Sequence, residues 1–131
     1  MAKMKEDIEI TILLNPVTKK NSQRIINRNG VYKLIPSKAY VNYERDCAYF
    51  LNKHRHMINY PVNVEAVYYR ATKHRVDLCN LHEALCDVLV KYGVVADDNA
   101  KIIATMDGSR VEYDKNNPRT EIRITPLHGE T

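Results

Sequence analysis

The chain has 131 residues, of which 44% are hydrophobic and 27% charged, so we expect one globular domain over residues 1–131. No run of 18 apolar residues exists, which argues against a membrane-spanning helix, and the acids at Glu6 and Asp7 argue against a secretion signal. Three cysteines, an odd number, indicate free thiols in a reducing cytoplasm.

The charged residues are divided unevenly along the chain. Residues 1–76 contain 14 Lys and Arg against 6 Asp and Glu, whereas residues 77–131 contain 6 against 10. A basic half can dock phosphates and an acidic half can hold a metal ion, a division that suggests nucleic acid as the partner. An ordinary solvated surface can show the same bias, so charge alone leaves both interpretations open.

A strand and a basic loop are predicted at the start of the chain. Residues 7–14 alternate between apolar and polar positions, as a half-buried strand does. The loop over residues 16–30 contains no acid, and its cations suit contacts with backbone phosphates. A surface loop without a function could have the same composition. The candidate DNA-binding residues of this loop are Lys19, Lys20 and Arg24.

The remaining elements alternate between strand and helix. Ser37 is a good N-cap for a helix that runs to about residue 55. Asp107-Gly108 is predicted to be a hairpin turn, and residues 127–131 are expected to be flexible. Together the elements predict an α+β fold with a mixed sheet of four or five strands and two main helices. Later strands are predicted at residues 31–35, 62–71, 102–106, 110–113 and 120–124.

The second main helix is predicted over residues 78–92. It lies inside residues 73–99, the segment that contains most of the candidate catalytic and metal-binding residues. Apolar residues recur there at three- and four-residue intervals and form one stripe. Asn80 and Glu83 have the spacing of a capping box, and Gly93 stands where the helix should end. Because such a helix is roughly 20 Å long, the chain must turn back along it if its two ends are to share one site.

Carboxylates stand on both sides of this helix. Asp77 precedes it, Asp97 and Asp98 follow it, and Lys73 and Arg75 lie just before Asp77. A hard cation such as Mg²⁺ takes oxygen ligands and assists phosphodiester hydrolysis, and nearby cations would hold the polyanion. Alternatively, Asp77 only caps the helix, and Asp97 and Asp98 belong to a solvated turn.

The same segment also carries a gapped motif: Val76-Asp77-Leu78-Cys79-Asn80-Leu81, then Ala84, Asp87, Leu89, Gly93 and Asp97-Asp98. This pattern resembles the central motif of the RusA family of phage- and prophage-encoded Holliday junction resolvases. The resemblance implies a RusA-like fold, a homodimer, and symmetrical nicking of four-way DNA junctions. It also implies Mg²⁺, or Mn²⁺, as cofactor and the bacterial cytoplasm as location, with roles in recombination, repair or phage DNA processing.

The resemblance also assigns roles to residues of this chain. It implies that Asp77 and Asp98 are the metal ligands, with Asp97 beside them. Lys73 and Arg75 would hold backbone phosphates or stabilise charge in the transition state.

Two positions depart from the family's pattern. Cys79 stands where the family has its second acid, and a thiol suits softer metals than Mg²⁺. Glu83 stands where the family has a lysine. At 100° per residue Asn80, Glu83 and Asp87 share one helix face, so Glu83 could restore the missing carboxylate while Asn80 orients the site. The alternative is a catalytically impaired protein that binds branched DNA.

A different metal site is also conceivable on the helix. Cys79, His82 and Cys86 follow one another at i, i+3 and i+7, which places them on one face. They could belong to a zinc-stabilised interaction domain. Structural zinc needs a fourth ligand, and only Cys47 or another histidine is available. Alternatively, these three residues bind no metal and simply occupy the side of the helix, with their polar groups satisfied by neighbouring residues.

Overall fold

The computed structural model of the protein describes residues 5–19 and 23–127. Lys20, one of the candidate DNA-binding residues, lies outside these ranges, as do residues 128–131 of the end expected to be flexible over residues 127–131. Arg24 falls within a strand, but its side chain is likewise outside the description. In the described ranges, no helix has the length and apolar character needed to cross a membrane.

The helices lie where the apolar periodicity predicts them. They are α1 (Lys38–Leu51), followed by a short 3-10 turn (Asn52–His54), and α2 (Leu78–Lys91). Ser37 caps α1, because its Oγ accepts a hydrogen bond from the Tyr40 N–H at 3.2 Å. Gly93 follows α2 with φ of 72°, a conformation that favours glycine. Two of the tyrosines of α1, Tyr40 and Tyr43, belong to its buried stripe, which also contains Cys47 and Leu51.

The main sheet has five strands and is mixed, so the predicted α+β fold with two main helices is confirmed. The strands are β1 (Ile8–Ile12), β4 (Val62–Arg70), β5 (Ile103–Thr105), β6 (Arg110–Tyr113) and β7 (Arg119–Pro126). Strand β7 lies between β1 and β4 and is antiparallel to both. Strands β5 and β6 both run parallel to β4 along its other edge.

The core lies between one face of this sheet and the apolar stripes of the helices. Ile10 and Ile12 of β1 and Val64 and Tyr68 of β4 are each at most 3% exposed. The opposite sheet face is polar and charged, as alternation along the strands requires. The helix residues that complete the core include Leu81, Leu85, Val88 and Leu89 of α2.

The predicted hairpin around Asp107-Gly108 is wrong. Strands β5 and β6 do not pair with each other but continue along the same edge of β4, with a break between them. Side chains fill the break: Ser109 Oγ accepts a hydrogen bond from the Ala66 N–H at 3.0 Å, and Asn63 Oδ1 accepts one from the Asp107 N–H at 2.7 Å. Residues 107–108 therefore form a turn that interrupts this edge without reversing the chain, an outcome that depends on β4 and not on local sequence.

The loop predicted over residues 16–30 is only partly a loop. Residues Gln23–Arg28 form β2, which pairs with β3 (Val31–Pro36) as a separate two-stranded sheet. A turn at Asn29-Gly30 joins the two strands, with φ of 54° and 79° at its two residues. The signal for β2 is the adjacent pair of β-branched residues Ile25 and Ile26, which lies among the cations of this stretch.

Candidate active site on the second helix

The site is positioned by the unit that β4, α2 and β5 form. Two parallel strands joined by a helix place the start of the helix near the end of the first strand. The buried stripe of α2 faces the sheet, so the opposite side of the helix is open to solvent. Cys79 and Glu83 are exposed on that open side, and Asn80 and Asp87 are half-buried at its edge.

Asp77 occupies the N-cap position of α2 without acting as a side-chain cap. Its backbone is extended, with φ of −90° and ψ of 127°, and its carbonyl oxygen accepts from the N–H groups of Asn80 and Leu81 at 3.1 and 3.3 Å. Its carboxylate makes no capping hydrogen bond. The predicted capping box of Asn80 and Glu83 is therefore wrong, because both residues lie inside the helix. The exposed Asp77 carboxylate keeps its oxygens for another ligand.

After α2 the chain turns back, and long-range backbone bonds hold the turn. Val94 and Val95 are fully buried, and Val95 forms a parallel bridge with Ile58. The Ile58 N–H donates to the Val94 carbonyl at 3.1 Å, and the Ala96 N–H donates to the Ile58 carbonyl at 2.8 Å. The segment before β4 thus holds residues 94–96 in place after α2.

The two adjacent aspartates have different surroundings. Asp97 accepts hydrogen bonds from the Asn99 side chain and from the Asp98 N–H, each at 2.8 Å, and these bonds lower the pKa of its carboxyl group. Asp97 therefore stabilises the turn. Asp98 lies close enough to α2 to act on Cys86, where burial first and then the Asp98 charge raise the pKa of the thiol to about 12. Asp98 thus lies within electrostatic range of the middle of α2.

Lys19 lies on the other flank of the open helix side. Its Nζ is 3.1 Å from Asp87 Oδ2, with the two side chains 37% and 34% exposed. The hydrogen bond and charge of Asp87 raise the pKa of Lys19, with smaller contributions from Glu83 and Glu44. The candidate DNA-binding lysine is thus an ion-pair partner of α2. It supplies a cation beside Glu83, the position at which the family has its lysine.

The basic residues before Asp77 are held by contacts that the sequence did not reveal. Arg70, at the end of β4, donates through Nη1 to the His74 carbonyl oxygen. Lys73 Nζ lies 4.9 Å from the centre of the Tyr113 ring, a cation–π contact between the loop and β6. Lys73 and Arg75 are both exposed. The parallel pairing of β4 and β6 brings Tyr113 close to Lys73. The sequence around either residue does not predict this contact.

The donor set suits a hard divalent cation. Asp77 and Asp98 offer exposed carboxylate oxygens, and Mg²⁺ binds through one or two carboxylates while it keeps water and substrate phosphate as further ligands. Across residues 5–19 and 23–127, however, no group of three or more His, Cys, Asp or Glu side chains is arranged to hold a metal. Asp77 lies at the start of α2, Glu83 and Asp87 along it, and Asp98 after its end, so the described acids do not form a closed cage.

The zinc alternative lacks support in the described part of the chain. His82 Nδ1 is engaged with the Tyr68 hydroxyl at 2.7 Å, and Cys86 is a half-buried thiol with a raised pKa. Cys47, the suggested fourth ligand, is fully buried in the stripe of α1. Zinc requires deprotonated thiols that converge on one point. His82 and Cys86 thus fit the alternative of ordinary helix residues, and Cys79 is exposed.

Exposed carboxylates could hold a metal ion for phosphodiester hydrolysis, and the nearby cations could bind phosphates. This combination is typical of an enzyme that cleaves nucleic acid. The sequence model of the RusA endodeoxyribonuclease family matches residues 14–125. The chain therefore belongs to the RusA family of endodeoxyribonucleases, Holliday junction resolvases that hydrolyse DNA phosphodiesters, and the predicted membership is confirmed. No curated protein shows significant similarity to the chain.

Proposed function

We propose that the protein resolves four-way DNA junctions by Mg²⁺-dependent, symmetrical nicking, with Asp77 and Asp98 as the principal metal ligands. The observation that carries this proposal is the state of Asp77. It stands at the N-cap of α2, where a carboxylate ordinarily bonds to the helix N–H groups, yet its side chain makes no such bond. A carboxylate that serves no structural purpose at an exposed helix start is well suited to hold an ion.

We assign different roles to the two aspartates that follow α2. Asp97, a second candidate ligand, uses both oxygens within its own turn, so we assign it to the support of Asp98. Asp98 remains the ligand that faces the helix. When bound, Mg²⁺ would supply an activated water and would neutralise charge on the phosphate that is cut. Asp77 and Asp98 would hold and orient that ion.

Glu83 and Asn80 complete the proposed site. Cys79 cannot replace the family's second acid for a hard cation, whereas Glu83 is exposed about one helical turn further along α2. We assign Glu83 the part of the missing acid, either as a ligand or as the base that accepts a proton from the attacking water. Asn80 would orient that water through its amide.

The proposed DNA contacts surround the acids. Lys73 and Arg75 would bind phosphates on either side of the cut, and their exposure leaves them accessible to the duplex arms. Lys19 would counter the negative charge of α2 as the strand approaches. A junction has two equivalent strands to cut, so we propose a homodimer with one site for each. We place it in the cytoplasm of a bacterial cell, in recombination, repair or phage DNA processing.

The proposal is tested with a labelled synthetic four-way junction in Mg²⁺ or Mn²⁺. Wild type should produce paired symmetrical nicks, and Asp77→Asn should produce none. Asp46→Asn, an exposed acid on α1, is the matched control and should cut as wild type does. Loss of cutting in Glu83→Ala would support the role of Glu83 as the replacement acid, and full activity of that variant would refute it.

A second candidate function is the binding of branched DNA without cleavage, because Cys79 replaces an acid of the family. Tight, salt-sensitive junction binding by wild type, with no product in either metal, would identify a branched-DNA-binding protein. Full cutting by Asp77→Asn would overturn the assignment of that ligand. A wild type that neither binds nor cuts the junction would overturn the proposed function as a whole.

A further inference from the structure

The hairpin of β2 and β3 stands apart from the rest of the described fold. Its strands pair with each other in register from Gln23–Pro36 to Arg28–Val31, and neither pairs with a described strand of the main sheet. The Gly30 N–H donates to Asn27 Oδ1 at 3.1 Å and stabilises the turn. A two-stranded ribbon alone is only marginally stable in water, so such an arm implies a purpose beyond the core.

The hairpin exposes large apolar side chains on both faces. Ile25 is 71% exposed, Val31 57% and Tyr32 72%, whereas apolar residues of the main sheet are largely buried. Clustered exposure of this kind marks a surface that meets a partner. The pairing register shows how these side chains are arranged.

Residues opposite each other in an antiparallel pair share a face, and neighbours along a strand alternate between faces. Tyr32 lies opposite Asn27, and Ile25 lies two residues before Asn27, so these three form what we call the neutral face. Arg28 lies opposite Val31, and Lys33 lies two residues after Val31. These three form what we call the basic face.

The charge of the surrounding chain selects the partner. Residues 10–43 contain six Lys and Arg and no Asp or Glu. Arg28 and Lys33 are exposed and have no ion pair with any described residue. An acid-free, cationic arm complements a polyanion and would repel a basic protein surface. Nucleic acid is therefore the partner that this surface fits.

The neutral face specifies which part of the nucleic acid the arm meets. A paired duplex presents phosphates and stacked bases, so an exposed tyrosine beside an isoleucine finds little to contact. At the crossover of a four-way junction, base stacking is interrupted and base faces become available to aromatic side chains. The two faces of the arm thus match the two features that a branch point offers.

We infer that the β2–β3 hairpin recognises the branch point of the junction. Arg28 and Lys33 bind backbone phosphates, while Tyr32 and Ile25 pack against bases at the crossover. This inference rests on the proposed junction substrate and extends it from cleavage to structural specificity. It assigns the choice of a branch over a plain duplex to the hairpin, and the hydrolysis to the acids along α2.

The test measures binding without divalent metal, so that it is independent of cleavage. Tyr32→Ala should lower affinity for a four-way junction by about 5- to 100-fold, the range expected for loss of one base–aromatic stack. Affinity for a duplex of the same sequence should not change. Tyr49→Ala is the matched control, because Tyr49 is 84% exposed but lies on α1. It should bind both DNAs as wild type does.

Two further measurements separate the faces. The double variant Arg28→Ala and Lys33→Ala should weaken junction and duplex binding alike. The slope of the logarithm of the binding constant against the logarithm of the salt concentration should fall in magnitude by about 2, which corresponds to the loss of two phosphate contacts. A 2-aminopurine at the crossover should change in fluorescence on binding of wild type, but not on binding of Tyr32→Ala.

Equal junction affinity of Tyr32→Ala and Tyr49→Ala would overturn the inference. So would conversion of a dimer into a monomer by Tyr32→Ala in sedimentation experiments, which would make the hairpin an interface between copies of the chain. If wild type binds the junction through Tyr32 but cuts nothing in Mg²⁺, the proposed nuclease activity fails and the hairpin inference stands.

Discussion

Replacement of Cys79 by aspartate is the sharpest test of the metal site. Cys79 is exposed in the first turn of α2, two residues after Asp77. Cys86 lies two helical turns further along the same side, and the Asp98 charge acts on its thiol. An acid at position 79 would thus stand between the two proposed ligands. We expect Cys79→Asp to bind Mg²⁺ more tightly and to cleave junctions at a lower Mg²⁺ concentration.

The magnitude follows from exposure and charge. Because Cys79 is exposed, water screens its interactions, and two unit charges about 4 Å apart interact by about 1 kcal/mol. A divalent ion doubles this to about 2 kcal/mol, or about a 30-fold lower Mg²⁺ concentration at half-maximal cleavage. The fold should not suffer, because a carboxylate in the first turn of a helix contributes about 0.3–1 kcal/mol of stability through the helix dipole.

The assay is a Mg²⁺ titration of junction cleavage, accompanied by thermal unfolding. Cys79→Asn is the matched control, since it has the shape of aspartate without the charge, and it should titrate as wild type does. If Cys79→Asp and Cys79→Asn require the same Mg²⁺ concentration, position 79 does not border the ion and the assignment of this side of α2 is wrong. Zinc that co-purifies with wild type and is lost in both variants would revive the zinc alternative.

Four further predictions concern contacts of the site and its scaffold. Burial lowers the pKa of His82 below its ordinary 6.5, so the unfolded chain binds the proton first and stability should fall as pH drops below that value. Urea unfolding at about pH 7.5 and 5.5 measures this, and a pH-independent midpoint would contradict it. Tyr68→Phe removes the partner of His82 and should cost about 1–2 kcal/mol in the same assay. Lys19→Gln should weaken junction binding with little effect on stability, because its pair with Asp87 is partly exposed, whereas Asp87→Asn should strengthen binding. Gly108→Ala should lower the melting temperature and cost about 1 kcal/mol or more, because φ is 88° there and the new Cβ would lie within 3 Å of a glutamate side chain.

Much of the fold and of the candidate site follows from local sequence. The three- and four-residue spacing of apolar positions located both helices, and Ser37 and Gly93 marked a start and an end. The spacing from Asp77 to Asp98 identified the family, because a motif records which residues a reaction requires even where the geometry is unknown. Backbone propensity, capping and chemical identity act within a few residues, so they can be read along the chain.

Other features depend on partners distant in sequence, and only the tertiary structure decided them. Whether Asp107-Gly108 formed a hairpin or a break within one sheet edge depended on β4, which pairs in parallel with both neighbouring strands. The return of Asp98 toward α2 depended on the bridge between Val95 and Ile58, and the position of Lys19 depended on Asp87. The sequence by itself thus determined both helices, most of the strands and the motif of the family. Their placement was decided by pairings that form only when the whole chain has folded, because such contacts draw on the shared core and not on local preference.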